Sequence, residues 1–410
     1  MKFIITTLTC ILFVACGTQN MENKSVSLLA DYTADVTYLA HDSLEGREVG
    51  TKGELIAADY IAARMKENGL LPKGNDNTYF QVFTRNMKAH PHDTDGTGEK
   101  IEGRNVLGFL DNGAEKTLII GAHYDHLGYG EEGSLADSAG QIHNGADDNA
   151  SGVSAMLGLA KKLKGKKLKT NVLFIAFTGE EKGLWGSNYF VKNATVPTSE
   201  MAYMINMDMV GRLDTNNRLA IYGIGTSPLF KPILDSCNTF SFQSKFDSSG
   251  VGPSDHTSFY LEDVPVLHFF TGQHKDYHKP TDDTEFINFE GIEKVADYIE
   301  KVVMSLNNYD SIPFTKTKEK SEKARAFKVT LGVIPDYLFD GEGMRIDGVK
   351  EDRPAAKAGI QKGDIVLKMG EFEVKSMTDY MNCLGKFEKE STHKVIVLRE
   401  KEKVEIEVTF

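Results

Sequence analysis

Five short segments of the chain concentrate the histidine and carboxylate side chains that hold divalent metal ions in proteins. They are HYDH at 123–126, NGADDNASG at 144–152, TGEE at 178–181, NMDM at 206–209 and YHKPTD at 277–282. In the first segment, His123 and Asp125 lie two residues apart, so in an extended chain they point the same way. Asp125 is then placed to hydrogen-bond the imidazole of His123 and to orient it toward a metal ion.

The apolar runs that precede the acidic groups indicate where these groups lie in the fold. A single histidine after a strand is more often structural than a ligand, and an acidic pair such as Glu180 and Glu181 usually lies on a solvated surface. This pair, however, ends the continuous apolar run 171–178, and the NMDM segment also follows an apolar run. Sheets of α/β proteins bind ligands at the carboxyl ends of their strands. Four carboxylates and two histidines gathered there would repel one another without a cation, which favours a pair of metal ions.

Apolar patterning predicts an α/β fold around these segments. Strands are predicted at 105–110, 117–122, 171–178, 201–207 and 265–270, and amphipathic helices at 55–69, 150–163 and 292–306. Because buried strands alternate with amphipathic helices, we expect a mostly parallel central sheet flanked by helices. A chain of 410 residues has room for two or three domains.

In this order, His123-x-Asp125, GADDNASG, TGEE, NMDM and YH resemble the motifs of the co-catalytic di-zinc aminopeptidases of the bacterial leucyl aminopeptidase type. That family includes glutamate carboxypeptidases, and glutaminyl cyclases are its relatives. The resemblance covers roughly residues 30–306 and includes the segment LAHDSLEGREVGT at 39–51. It implies a fold of the zinc exopeptidase type and a di-zinc peptidase domain at 30–310.

The resemblance also implies which side chains bind two zinc ions. It pairs His123 with Asp208 on one zinc and Glu181 with His278 on the other, and Asp148 bridges the two ions. It further implies a cis peptide bond after Asp148. Cobalt or manganese could occupy the same set of ligands.

Two further side chains acquire catalytic roles from the resemblance. Glu180 falls on the general base, which takes a proton from a water or hydroxide shared by two zinc ions. Tyr277 precedes the last ligand, where some family members polarise the scissile carbonyl with a tyrosine hydroxyl; its alternative role is packing. The segment 254–256 contacts substrate or forms a local turn. The connection 130–143 forms a rim of the cleft or an ordinary surface loop.

The C-terminal part of the chain has a different character. After a charged linker at 311–324, residues 325–410 resemble a PDZ domain of the kind found in bacterial proteases, and they end in two alternating strands. Leu331, Gly332 and Val333 fall on the loop that binds a peptide carboxylate through backbone N–H groups. The alternative is a spacer or a lid without a peptide ligand.

The N-terminus resembles a bacterial lipoprotein signal. An apolar run within residues 1–15 is too short to span a bilayer, and it precedes Cys16, the expected lipidation site. Residues 16–29 would then tether the folded part to a membrane of the cell envelope, inner or outer. The alternative is an ordinary secretory signal that is cleaved nearby.

The resemblances together imply an exported metal-dependent aminopeptidase that acts on peptides. With 59 acidic and 47 basic residues, the chain lacks the positive charge of a nucleic-acid-binding protein. A carboxypeptidase or dipeptidase would need cationic groups for the substrate carboxylate, and Arg212 is the single candidate near a motif. A glutaminyl cyclase needs one zinc, which the full set of five ligands disfavours. An inactive peptide-binding lipoprotein would be expected to have lost a ligand.

Overall fold

The computed structural model describes residues 27–86, 100–131, 133–136, 138, 140–317, 329–335, 341–349, 353–375 and 377–410. The predicted signal at 1–15, the predicted lipidation site Cys16, most of the predicted tether and residues 318–324 of the predicted linker lie outside the described residues. No helix within the described ranges is long and apolar enough to cross a membrane.

The first part of the chain forms a layered α/β structure. Its strands are β1 Leu71–Pro72, β2 Phe80–Asn86, β3 Lys100–Leu110, β4 Lys116–His123, β5 Thr170–Phe177, β6 Met201–Met207, β7 Arg218–Tyr222, β8 Gln243–Phe246 and β9 Val266–Phe270. Its helices are α1 Leu29–Leu39, α2 Lys52–Glu67, α3 Gly152–Leu163, α4 Trp185–Lys192, α5 Phe230–Cys237, α6 His256–Tyr260 and α7 Phe289–Leu306. All eight elements predicted from apolar patterning are present, which confirms the α/β fold class.

The nine strands form one mixed sheet. Its order is β1-β3-β5-β4-β6-β9-β7-β8, and β2 pairs with β3 at one edge. The central strands β5, β4, β6 and β9 are parallel, whereas β3 joins β5 and β7 joins β9 in antiparallel fashion. The expected parallel arrangement therefore describes the centre of the sheet, which is the part that carries the motif segments.

The continuous apolar runs arise because both faces of the sheet are covered. Along β4, Leu118 and Ile120 point into a core that includes α1, α3 and α7, whereas Ile119 packs in a second core with residues of α4 and α6. Helix α3 begins at Gly152, later than predicted, because residues 146–151 form an irregular turn with a cis peptide bond between Asp148 and Asn149. That bond is where the family resemblance implied it.

The C-terminal part has its own sheet and its own hydrophobic cluster. Its elements are β10 Val333–Pro335, β11 Met344–Val349, α8 Pro354–Ala358, β12 Ile365–Met369, β13 Phe372–Glu373, α9 Met377–Leu384, β14 Thr392–Arg399 and β15 Glu402–Thr409. The sheet is antiparallel in the order β10-β11-β12-β14-β15, and β13 pairs with β12. The predicted loop at Leu331, Gly332 and Val333 leads into β10, and Gly332 has a φ of 75°. The boundaries of the two domains remain predictions.

Candidate metal centre

The motif segments meet at one edge of the parallel part of the sheet. His123 is the last residue of β4, Glu180 and Glu181 follow β5, and Asp208 follows β6. Strands β5, β4 and β6 are neighbours and run in the same direction, so their carboxyl ends lie side by side. Adjacency in the sheet therefore joins residues that are far apart in sequence.

The first candidate ligand group contains His123, Asp148 and Asp208. The Nε2 atom of His123 lies 3.3 Å from Oδ1 of Asp148 and 3.4 Å from Oδ1 of Asp208. All three side chains offer a ligand atom within 4.8 Å of the others, and all three are buried or nearly so. Hence this group has the size and chemistry of a site for one divalent ion.

The second candidate group is built around Glu181 and His278. The Nε2 atom of His278 lies 3.2 Å from Oε2 of Glu181 and 3.3 Å from Oδ2 of Asp148. Asp148 therefore presents Oδ1 to the first group and Oδ2 to the second. All five predicted ligands are brought together, and Asp148 occupies the bridging position.

His126 also belongs to this centre and was missed in the sequence analysis. Its Nδ1 atom lies 2.9 Å from Oε1 of Glu181, and with Asp148 the two residues form a second set of atoms spaced for a metal ion. His126 is the last residue of the HYDH segment, so the sequence did contain a clue to it. In an extended chain, however, His126 would point away from His123, which concealed its role.

The loop that carries Asp148 is held from behind by Asp282. One carboxylate oxygen of Asp282 accepts hydrogen bonds from the backbone N–H groups of Asp147 and Asp148, both at 3.0 Å. The carboxylate of Asp125 acts similarly on the TGEE turn, accepting from the N–H groups of Glu180 at 3.1 Å and Glu181 at 3.3 Å. Oδ1 of Asp125 lies 3.7 Å from Nδ1 of His123, whereas the backbone carbonyl oxygen of Asp125 is closer to that nitrogen, at 3.2 Å.

Two described residues of the connection 130–143, Gly133 and Leu135, contact His278. The Nδ1–H group of His278 can donate to the carbonyl of Gly133 at 2.9 Å, and Leu135 N–H donates to the carbonyl of His278 at 2.8 Å. The bond at Nδ1 leaves Nε2 of His278 as the ligand atom. The ring of Tyr277 stacks on that of His278 with centroids 3.8 Å apart.

Burial and neighbouring charges shift the pKa values of the two adjacent glutamates in opposite directions. Burial raises the pKa of Glu180 well above its usual value, and the neighbouring carboxylates of Asp208 and Asp255 add to the effect. Burial would also raise the pKa of Glu181, but His278 and His126 outweigh it and lower the pKa to about 2. Glu180 is therefore the better proton acceptor and Glu181 the better ligand.

The donor set fits divalent ions. Hydrogen bonds from His123 and His278 overcome burial and hold the pKa of Asp148 well below its usual range, while the pKa of His278 rises to about 10. Without a cation, protons on histidines must balance the buried carboxylates. A divalent ion with imidazole and carboxylate ligands replaces those protons.

A cavity opens beside the ligands. Besides the candidate ligands and Glu180, it is lined by Met209, Tyr222, Pro253, His268, Phe270, Gln273 and Tyr277. None of the lining residues within the described part of the chain is arginine or lysine. Arg212, the sequence candidate for binding a substrate carboxylate, instead forms an ion pair with Asp276 at 2.8 Å. Of segment 254–256, Asp255 lies buried near Glu180 and its pKa rises to about 7 through burial.

Comparisons with known proteins agree with this arrangement. Residues 105–303 match the model of peptidase family M28, and residues 313–410 match the PDZ domain model. The aminopeptidase YwaD of Bacillus subtilis strain 168 is 29% identical over 221 residues, which are 51% of this chain and 45% of that relative. The chain thus spans about half the length of this relative.

Two solved structures share the fold of the first part of the chain. A glutaminyl cyclase of Porphyromonas gingivalis has a TM-score of 0.55 at 18% identity and covers 68% of this chain and 98% of its own. A Zn-dependent exopeptidase of Parabacteroides distasonis ATCC 8503 has a TM-score of 0.54 at 21% identity and covers 67% and 97%. The family match identifies residues 105–303 as a domain of peptidase family M28, and the second match adds a PDZ domain at 313–410.

Proposed function

We propose that this protein is an aminopeptidase that uses two zinc ions to remove N-terminal residues from peptides. The observation that carries the proposal is Asp148, whose two oxygens reach separate ligand groups beside Glu180. His123 and Asp208 would hold one zinc, Glu181 and His278 the other, and Asp148 both. Bound zinc would supply Lewis acidity that activates water and polarises the scissile carbonyl near neutral pH.

The chain's own side chains handle the proton and the carbonyl. Glu180 lines the cavity with a raised pKa, so it accepts the proton of the attacking water and returns it to the leaving amine. Tyr277, at the rim beside His278, donates its hydroxyl proton in a hydrogen bond to the carbonyl oxygen as negative charge develops there.

The charge of the cavity favours a substrate with a free amino terminus. Carboxylates surround the cavity, and no arginine or lysine of the described chain lines it. Bound zinc would offset these carboxylates, so the selective feature is the lack of a cationic side chain in the described lining. A C-terminal carboxylate would find no arginine or lysine to pair with there, whereas a free α-amino group needs none. Glutaminyl cyclization is the second candidate, because a cyclase shares the fold. It requires no attacking water, which would leave the Glu180 and dual-ligand arrangement partly unused.

We expect the purified protein to hydrolyse leucyl 4-nitroanilide and to leave its N-acetyl derivative intact, because the acetyl group removes the positive charge. A chelator should abolish turnover, and added zinc should restore it, with cobalt or manganese as the alternatives to compare. An N-terminal glutaminyl peptide supplies the matched test: mass loss of ammonia without residue release would support cyclization. Turnover of the acetylated compound at the rate of the free amine would refute the aminopeptidase proposal.

The remaining parts of the chain suggest where and on what the enzyme acts. The proposed localisation is an exported protein, lipid-anchored through Cys16 to a membrane of the bacterial envelope, which the signal-like residues 1–16 support. PDZ domains bind peptides, so the C-terminal domain is proposed to take a peptide C-terminus at Leu331, Gly332 and Val333.

Deleting residues 327–410 is expected to leave kcat/KM for a small aminoacyl amide within about twofold of the full chain, as for a surface change. The ligands all precede the deletion, and so does Thr317, whose N–H donates to the hydroxyl of Tyr260 at 2.9 Å. Steady-state kinetics on the small amide and on a long peptide measure the effect. Complete loss of small-amide turnover in a folded truncation would show that the PDZ domain completes the site.

A further inference from the structure

Arg47 is an unusual residue in this fold because it is fully buried and binds only carbonyl groups. Its Nε–H donates to the carbonyl of Tyr124 at 2.8 Å, and its Nη1 donates to the carbonyls of Leu39 and of Asn144, the latter at 2.6 Å. Its Nη2 donates to the carbonyl of Gly145 at 3.1 Å. The side chain is 1% exposed, so these bonds replace water almost completely.

The carbonyl groups that Arg47 contacts belong to the loops of the metal centre. Tyr124 follows the candidate ligand His123, and Asn144 and Gly145 precede the turn that carries Asp148. The backbone of Arg47 also contacts the HYDH segment, because the N–H group of His126 donates to the carbonyl of Arg47 at 3.3 Å. One guanidinium group thus spans two loops that approach each other from separate parts of the chain.

Arg47 also carries a positive charge that no nearby carboxylate neutralises by direct contact. Among the described residues it forms no ion pair, although Asp125, Asp148, Asp282 and Glu181 are the charges it feels most. Burial lowers its pKa to about 10, which still leaves the guanidinium charged at neutral pH. A buried charge of this kind is costly unless it is compensated, and here the acidic metal centre provides the compensation at a distance.

The backbone around Arg47 is held in a conformation that tolerates little change. Glu45, Gly46 and Arg47 have φ values of 49°, 69° and 49°, and a Cβ atom on Gly46 would lie 2.5 Å from the carbonyl oxygen of Gly128. Left-handed conformations of non-glycine residues are costly and persist only where their surroundings impose them. The turn is therefore fitted against the loop that follows HYDH, and it fixes where the Arg47 side chain enters the centre.

We propose that Arg47 is a positioning residue of the metal centre, which sets the loop of His123 against the loop of Asp148 and offsets their shared negative charge. The inference rests on the proposed zinc site and deepens it. Arg47 lies outside residues 105–303, the range that matches the M28 model, so the role adds a residue from the N-terminal segment to the peptidase site.

Arg47→Lys tests the proposal in the full-length protein. Lysine keeps the charge and the stem, but it has one nitrogen and cannot reproduce the planar fork that spans the two loops. We expect both zinc dissociation constants, measured by competition with a chromophoric chelator, to rise about 10- to 100-fold. The kcat for leucyl 4-nitroanilide should fall, and the increase in melting temperature caused by zinc should shrink.

Arg64→Lys is the matched control. Arg64 bonds Asp35 at 2.7 Å and Asp31 at 3.2 Å between α1 and α2, without contact to a metal loop. This variant is expected to lower the melting temperature while leaving zinc affinity and kcat unchanged. Comparing the two variants in the zinc-free state separates lost stability from lost metal affinity.

Two results would overturn the role of Arg47. The first is a folded Arg47→Lys protein whose zinc affinity and kcat lie within twofold of wild type. The second is an Arg47→Lys protein that fails to fold while Arg64→Lys folds, because Arg47 would then serve the whole domain rather than the centre. Wild-type protein that binds no zinc would instead refute the proposed function, and the same titration reports it.

Discussion

Glu180→Gln is expected to lower kcat by about 100- to 10,000-fold while zinc content and the fold are retained. Glutamine keeps the shape of the side chain but cannot accept the proton of the attacking water. The loss corresponds to about 3 to 5 kcal/mol of activation free energy. KM should change far less, because a base acts mainly in the transition state. Steady-state kinetics on leucyl 4-nitroanilide and metal analysis of the same sample measure both effects.

Glu181→Gln is the control for that result, because it differs by one position and by role. The carboxylate of Glu181 contacts Nδ1 of His126 at 2.9 Å and Nε2 of His278 at 3.2 Å. Its loss should weaken the second metal site first and activity as a consequence, so added zinc should partly rescue Glu181→Gln and leave Glu180→Gln inactive. The opposite rescue pattern would exchange the assignments of base and ligand.

Asp148→Asn should weaken both metal sites at once, because one carboxylate serves both ligand groups. The protein is expected to fall from two zinc ions per chain to fewer than one after gentle dialysis. Turnover should fall by about a thousand-fold or more, since metal ions contribute several kcal/mol of charge stabilisation. Metal analysis and kinetics test the two statements separately.

Asp35→Asn provides the comparison for Asp148→Asn. Asp35 is also a buried carboxylate, but it accepts hydrogen bonds from Tyr60 at 2.6 Å and Arg64 at 2.7 Å, away from the cavity. Its replacement should reduce stability and leave the zinc content at two ions. If Asp148→Asn retained two tightly bound ions, the bridging assignment would be wrong.

The candidate metal ligands could be predicted from the sequence because metal binding requires particular side-chain types. His123, Glu181 and Asp208 end or follow strands that hydrophobic patterning predicted, and Asp148 precedes a predicted helix. His278 lies in a turn, and the family resemblance alone indicated it. The parallel centre of the sheet followed from the same runs. A strand in the centre of the sheet is buried on both faces, and this burial requires the continuous apolar runs that are visible in the sequence.

The supporting contacts could not be predicted because they use the backbone. Arg47 binds four carbonyl groups, and Gly133 holds His278 through its carbonyl, so neither contact demands a particular residue type on the accepting side. The antiparallel edges were missed for a related reason. The pairing of β3 with both β2 and β5 depends on how chain segments return to the sheet, which apolar periodicity does not record.

The scattered origin of the ligands governs when the centre can assemble during biosynthesis. Ribosomal synthesis delivers Arg47 and His123 early, whereas His278 follows β9, the last strand of the first sheet. Until then, a nascent chain carries Asp148, Glu181 and Asp208 without the second histidine ligand. The full set of candidate ligands is therefore complete only after nearly the whole peptidase domain has been synthesised.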